Sequence, residues 1–531
     1  MAAAVLIGAV AVVSYVCGWG GDTDEMPSSL FTAATRGSED ARPTWNLTDE
    51  QLLDGLLSAA FSRRSCRSRY EFAGYYRRKP AHKPSLYLVA KLRKHEALQR
   101  WCGPGTAPYR EALRRLKSGD GAGDGGDCRY VVSIGYNRGL GNRMLAIVSA
   151  FLYAVLTERA LLVAPYDGDV AALFCEPFPG TTWLLPDDDG RRFPIRQRLR
   201  DLDGESQESL GNLLRSNASS SSSSSPPWPY VYLHLEGGFH FHDWLFYCDE
   251  QQRRLRGVPW LLMKMDSYIA PGLFLVPSLR GELGRMFPEK DAVFHHLGRY
   301  LFHPANAVWH AVTAYHRAHL AGAGRLVGMQ LRAYHDETPA LSRVVLEQAL
   351  SCARREKLLL PPPAAAAAGT TTNASDTAVL VTSLSPWYYG RIRDELGGAA
   401  AGGVHQPSHE GRQRSEDAAH DMRALSEMYL LSTCDVLLTT GLSTFGYVAQ
   451  GLAGVRPWLM PRRPPWEEPD AEVPEPPCAR AASPEPCFHA PSYYDCAARK
   501  NYSDIGKVVP FVQRCEDASW WIKLANGSRQ W

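Results

Sequence analysis

Residues Tyr130–Val163 read YVVSIGYNRGLGNRMLAIVSAFLYAVLTERALLV. Tyr130 to Ile134 is a short apolar run with the length and β-branched content of a buried strand. Gly135 to Asn142 is a glycine-bearing turn, Arg143 to Leu156 places its apolar residues at helical spacing, and Ala160 to Val163 is strand-like again. Strand, glycine turn, helix and strand in that order make a βαβ unit, which implies parallel strands.

The same alternation resumes at Leu326. Strand LVGMQLR (326–332) precedes a helix over about Ser342–Lys357, and strand AVLVTSL (378–384) precedes a helix at Pro386–Leu396. A Gly/His/Arg-rich loop follows, then helix Ala419–Thr433, strand DVLLTT (435–440), helix STFGYVAQGLAG (443–454) and strand VRPWLM (455–460). Short β-rich runs alternating with helices predict parallel sheets covered on both faces, here two doubly wound Rossmann-like domains facing a cleft. The expected boundaries are 1–20 for an apolar anchor, 21–46 for a stem, 47–300 for the first α/β domain, 301–470 for the second and 471–531 for a disulfide-rich tail folding back on the body. The first domain begins with a basic helical preface and contains the insertion Ser219–Ser225, a run that cannot pack a core.

A chain of 531 residues with 58 basic and 56 acidic side chains has a net charge of +2, so bulk electrostatics give no reason to expect nucleic acid. Ala2–Trp19 is uncharged and mostly apolar, about the length needed to span a bilayer, and is expected to be a retained type II anchor or a cleaved signal. Twelve cysteines without a CxxC pair suit disulfides in an oxidising lumen better than a zinc site. One of the eleven beyond Cys17 must stay outside intramolecular pairs, and spacing does not reveal the connectivity. Sequons at Asn46, Asn217, Asn373, Asn501 and Asn526 fit the same compartment.

Ligands of open parallel sheets sit beyond the carboxyl ends of the strands. There, Arg332 ends its strand with a planar fork suited to two phosphate oxygens. Ser443 and Thr444 stand at a helix start, where a cap oxygen and free amides suit a pyrophosphate, although an ordinary N-cap would explain them equally. Gly139, Gly141, Asn142 and Arg143 belong to a turn that could admit an anionic or sugar ligand, and an ordinary tight loop is the other reading. His420, Arg423 and Glu427 share one helical face, whose default role is a solvated ion-pair stripe. Asp266, after the apolar run PWLLMKM, is a candidate base. Asp243 lies among His234, His240 and His242, which packed or exposed histidines explain better than a metal. Asp187–Asp189 reads as a polar turn.

The segments GLGNRMLAIVSAFLYAVLTERALLV, LFCEPFPGTTWLLP, VPWLLMKMDSYIAPGLF, FPEKDAVFHHLGRYLFHPANAVW, LSEMYLLSTCDVLLTTGLSTFGYVAQGLAGVRPWLM and PCFHAPSYYDC together resemble the plant xyloglucan-type fucosyltransferases, glycosyltransferase family 37. The resemblance implies a GT-B fold and a type II Golgi protein. It also implies inverting, metal-independent transfer from GDP-β-L-fucose without a cofactor. The acceptor would be a galactose or related hydroxyl of a cell-wall glycan, and a homodimer is compatible. It places Arg332 on the GDP phosphates and makes Asp266 important for activity. His420, Glu427, Ser443, Thr444, Phe445, Gly446, Tyr447 and Asp517 would then stand around the donor, and Gly139, Gly141, Asn142, Arg143 and Asp243 on the acceptor side or along the cleft. Arabinogalactan or arabinoxylan acceptors, or a non-catalytic Golgi protein that binds glycan or GDP, remain open alternatives.

Overall fold

The computed structural model describes residues 47–76, 82–119, 128–135, 138–164, 170–186, 193–216, 228–236, 243–332, 339–359, 377–414, 417–462, 472–489, 494–496, 500–501 and 505–527. The apolar segment 2–19, Asp187–Asp189, the serine run and the residues 360–376 lie outside them.

Two sheets dominate. The first contains β1 (Tyr130–Ile134), β2 (Ala160–Ala164), β3 (Tyr230–Leu235) and β4 (Trp260–Met265) in the order β2-β1-β4-β3, every pair parallel. The second contains β5 (Arg325–Gln330), β6 (Thr377–Thr382), β7 (Val404–His405), β8 (Val436–Thr440), β9 (Trp458–Met460) and β10 (Ala479–Arg480), in the order β10-β9-β8-β5-β6-β7. Within it, only the β9–β10 pair is antiparallel. Mixed α/β architecture built on parallel sheets follows from the alternation in the sequence. β3, bounded in sequence by Pro226, Pro227 and Pro229 on one side and Gly237 and Gly238 on the other, is not among the expected strands, and the Gly/His/Arg-rich loop contributes the two-residue strand β7.

The helices that position the site, among the described residues, are these. α1 (Leu86–Cys102) precedes the first sheet, α2 (Leu140–Thr157) connects β1 to β2, and α3 (Val293–Leu301) and α4 (Asn306–Tyr315) follow β4. α5 (Pro339–Arg355), α6 (Pro386–Leu396), α7 (Ala418–Ser432) and α8 (Thr444–Ala453) belong to the second block. α2 starts at Leu140 rather than Arg143, because the Gly-Leu-Gly turn itself enters the first helical turn. It is apolar and long enough to cross a membrane, yet 78% of it is buried within the protein, so its apolar circumference is that of a core helix.

α2 and α8 pack together, with α3 and α7 against α8. One apolar cluster therefore runs unbroken from Val131 and Leu161 of the first sheet, through Met144, Phe151, Tyr447 and Leu452, to Leu326 and Leu437 of the second. A separate cluster fills the far face of the second sheet around Val327, Met329 and Tyr388. Among the described residues five disulfides join Cys66–Cys175, Cys102–Cys128, Cys248–Cys496, Cys352–Cys478 and Cys487–Cys515, and the buried Cys434 belongs to none of them. Cys496 thus ties the C-terminal segment to the first block, and Cys478 ties it to the second.

Candidate active site

The heads of α2 and α8 meet between the carboxyl ends of the two sheets. A side chain at Gly141 would lie 2.8 Å from the Thr444 carbonyl, so only glycine allows this approach. Beside it, Asn142 bridges the two blocks: its Nδ2 donates to the Asp266 carbonyl at 2.8 Å, and its Oδ1 accepts from the Thr444 hydroxyl at 2.9 Å. Arg143 forms a 2.6 Å ion pair with the buried Asp421 of α7. The glycine turn is therefore a junction between the two halves rather than an isolated loop.

Ser443 is the N-cap residue of α8, but its side chain makes no capping bond. Its Oγ is buried and has no hydrogen-bond partner among the described residues. The first amides of α8 are the unsatisfied donors of a helix start, where positive potential collects. Gly446 packs closely enough that an added carbon would stand 3.1 Å from Gln330 Oε1. Phe445 is half-buried. Below this turn Asp517 is buried and accepts from the Leu442 amide at 2.8 Å and from the Tyr447 hydroxyl. Asp517 thus braces the turn from behind. Burial pushes its carboxyl up despite those two donors.

Arg332 lies just past β5, its amide donating to Thr440 Oγ1 at 3.1 Å and its guanidinium to Gln413 Oε1 at 2.8 Å. Gln413 in turn fills the space beside Gly139, where a side chain would stand 2.8 Å from its Nε2. Gln413 therefore links the arginine to the glycine turn of the other half.

The α7 face expected to be solvated is instead largely covered. His420 and Arg423 both pair with Glu410, and Glu427 accepts from the Ser408 hydroxyl. His420 and Glu427 are buried. The loop after β7 lays Glu410 and Ser408 over the helix, which spacing along α7 alone could not report. Burial pushes the Glu427 carboxyl up to about 8.

On the first sheet, Asp266 immediately follows β4 and is half-buried. Glu236 immediately follows β3 and is 8% exposed. Sequence reasoning missed Glu236, although the repeats His-Leu-Glu (234–236) and Lys-Met-Asp (264–266) carry the signal: period-two alternation puts a charged or polar pair on one face at each strand end. His234 lies 3.4 Å from Glu236 and 2.9 Å from the Tyr232 hydroxyl. Burial pushes the Glu236 carboxyl up to about 7, with Lys264 and Arg138 opposing and Asp266 and Asp203 adding to the shift. Asp243 is buried at the start of a short 3-10 helix, at 2% exposure, while His240 and His242 lie outside the described residues. Of the sequons, Asn526 is exposed, with its amide donating to Asp291, and Asn501 sits on a two-residue strand; Asn46, Asn217 and Asn373 lie outside the described residues.

The sequence profile described as xyloglucan fucosyltransferase matches residues 27–497. A galactoside 2-alpha-L-fucosyltransferase of Pisum sativum is 44% identical over 488 residues, spanning 90% of this chain and 83% of that protein. Fucosyltransferase 2 of Arabidopsis thaliana is 44% identical over 496 residues, spanning 90% of this chain and 88% of its own length. The solved GDP complex of an arginine-to-lysine variant of Arabidopsis thaliana FUT1 superposes with a TM-score of 0.78 at 41% identity, over 90% of this chain and 100% of that one. On this agreement the chain belongs to the xyloglucan fucosyltransferase family and is a glycosyltransferase.

Proposed function

We propose that the protein transfers L-fucose from GDP-fucose to the 2-hydroxyl of a galactosyl residue on a xyloglucan-type cell-wall glycan, within a GT-B arrangement. The single observation that carries this reading is the head of α8. There a buried serine hydroxyl without a partner among the described residues and the amides of a helix start stand at the carboxyl edge of the second sheet, where Arg332 lies just past the neighbouring strand. A departing nucleoside diphosphate gains negative charge as its glycosidic bond breaks, and fixed donors aimed at that charge lower the barrier. In this reading the acceptor hydroxyl attacks fucose C1 opposite the leaving group, which gives inversion by a single displacement. Arg332 and the α8 head neutralise the GDP, and no metal ion or further cofactor takes part. Asp266 stands on the acceptor side, held against Thr444 through Asn142.

Five disulfides favour an oxidising compartment. This supports a Golgi lumenal placement with Ala2–Trp19 as the type II anchor. The test is transfer from GDP-fucose to a panel of galactosylated xyloglucan, arabinogalactan and arabinoxylan oligosaccharides, with wild type and Arg332→Ala compared. Product on the xyloglucan member, lost at least about hundredfold in the variant, is expected. Product on another member moves the acceptor assignment, and undiminished turnover by Arg332→Ala overturns the donor site.

A further inference from the structure

Parallel register places Leu235 opposite Met265, so the next pair along β3 and β4 is Glu236 and Asp266. Neighbouring strands run about 4.8 Å apart, and alternate residues share a face. His234 and Glu236 on one strand therefore face the same side as Lys264 and Asp266 on the other, the face lined by Tyr232, Trp260 and Leu262, at the carboxyl edge of the sheet. Lys264 lies on this face too, its Nζ donating to the Leu202 carbonyl at 2.8 Å while its charge still acts on Glu236. The two carboxylates remain at the strand ends.

Asn142 connects this edge to the donor side. It holds the Asp266 carbonyl with its amide nitrogen and the Thr444 hydroxyl with its amide oxygen, so β4 ends directly beside the α8 head with its partnerless Ser443 hydroxyl. The sheet order β2-β1-β4-β3 then sets a sequence of positions across the edge: α8 head, Asp266, Glu236. Glu236 is one strand farther from the nucleotide end than Asp266, the direction from which an acceptor sugar would approach a fucose bound at the α8 head.

We propose that Glu236 is the general base of the transfer, with Asp266 beside it as a positioning and charge-setting neighbour. The inference rests on the fucosyl-transfer reading. In the step, the acceptor oxygen forms its bond to fucose C1 while the bond from C1 to the phosphate oxygen breaks and GDP leaves with the electron pair. The acceptor's hydroxyl proton passes to a Glu236 carboxylate oxygen and later to water. The groups facing Glu236 are His234 on its own strand, Lys264 and Asp266 on β4, Arg138 in the glycine turn and Asp203 before β3. Its carboxyl, pushed up to about 7 mainly by burial, is a stronger base than an exposed carboxylate and is still half-ionised near neutrality. Because the base acts in its charged form, the rate should rise with pH through that value.

The experiment compares wild type with Glu236→Gln, an isosteric change, on GDP-fucose and the acceptor that the oligosaccharide panel identifies. Rates are followed from about pH 5.5 to 8.5, and GDP affinity by calorimetry. A fall in kcat of about hundredfold or more is expected, within the usual contribution of a positioned base, together with loss of the rising limb near pH 7 and unchanged GDP binding. A kcat within about threefold of wild type, or a reduced kcat that keeps the same limb, overturns the assignment. If Glu236→Gln does not bind GDP, Glu236→Asp decides. A reduced kcat with a displaced limb supports the proposal, and an unchanged profile overturns it. Arg332→Ala is run in parallel: its inactivity beside a fully active Glu236→Gln would reject the base and keep the transferase reading, whereas a wild type without transfer would reject the reading itself.

Discussion

Glu485 accepts hydrogen bonds from the Phe294 amide at 2.7 Å and the Tyr268 hydroxyl at 2.8 Å, yet it is 1% exposed and burial pushes its carboxyl up to about 8. Glu427 is shifted to the same value. Their unfolded values are near 4.3, so both states are protonated below that pH, where stability does not vary with pH on their account. Above it the unfolded chain releases protons that the folded protein retains, and stability falls as pH rises toward 8, by on the order of 1 kcal/mol per pH unit and group. Glu485→Gln can accept from the Phe294 amide with its amide oxygen and donate to the Tyr268 hydroxyl with its amide nitrogen, and it has no proton to lose. Thermal melts from about pH 5 to 8 should show a shallower decline than wild type. Ser443→Ala is expected to leave the ligand-free melting temperature unchanged or slightly higher, because it removes a buried hydroxyl without a partner, and to weaken GDP binding by about tenfold in calorimetry. Ser443 and Arg332 stand out in the sequence because a strand end and a helix start are local features. Glu236 does not, because its significance depends on Asp266, a residue on a different strand brought alongside by the register. Likewise, the stripe on α7 reads as solvated until Glu410 and Ser408 are seen to cover it.

Among the elements, the contact between α2 and α8 governs the junction. Gly141→Ala should push the two helix heads apart, since the added carbon would meet backbone at 2.8 Å, and GDP-fucose turnover should fall by about tenfold or more. The largely buried pair of Arg143 with Asp421 permits a second test. Removing one partner, as in Asp421→Leu, should destabilise by about 3–5 kcal/mol in denaturant unfolding, while Arg143→Met with Asp421→Leu should recover most of that loss. The βαβ units are legible because strand and helix periods differ and glycines mark the turns. β7 and β10 are not, since a two-residue strand has no period and is defined by the neighbour it pairs with. α2 begins three residues before its periodicity shows, because glycine weakens a helical pattern at the very turn where close packing requires it.

At the scale of the molecule, the odd number of cysteines beyond Cys17 keeps at least one outside intramolecular pairs, and Cys434 is the one that joins none of the five bridges among the described residues. Pairing cannot be read in the same way, since Cys248–Cys496 and Cys352–Cys478 join residues 248 and 126 positions apart. Replacing Cys248 and Cys496 together by serine should cost roughly 2–5 kcal/mol in denaturant unfolding. Residues 478–496 run between the two anchoring disulfides, and along the way Glu485 engages Tyr268 and Phe294 while the Pro484 carbonyl accepts from Gln450 at 3.3 Å. A strap bonded to both halves, over an apolar interior they share, leaves little freedom for a book-like hinge. Spent nucleotide must then escape by rearrangement of loops at the rim, and the pace of turnover would be governed by those loops instead of by the swinging of whole lobes.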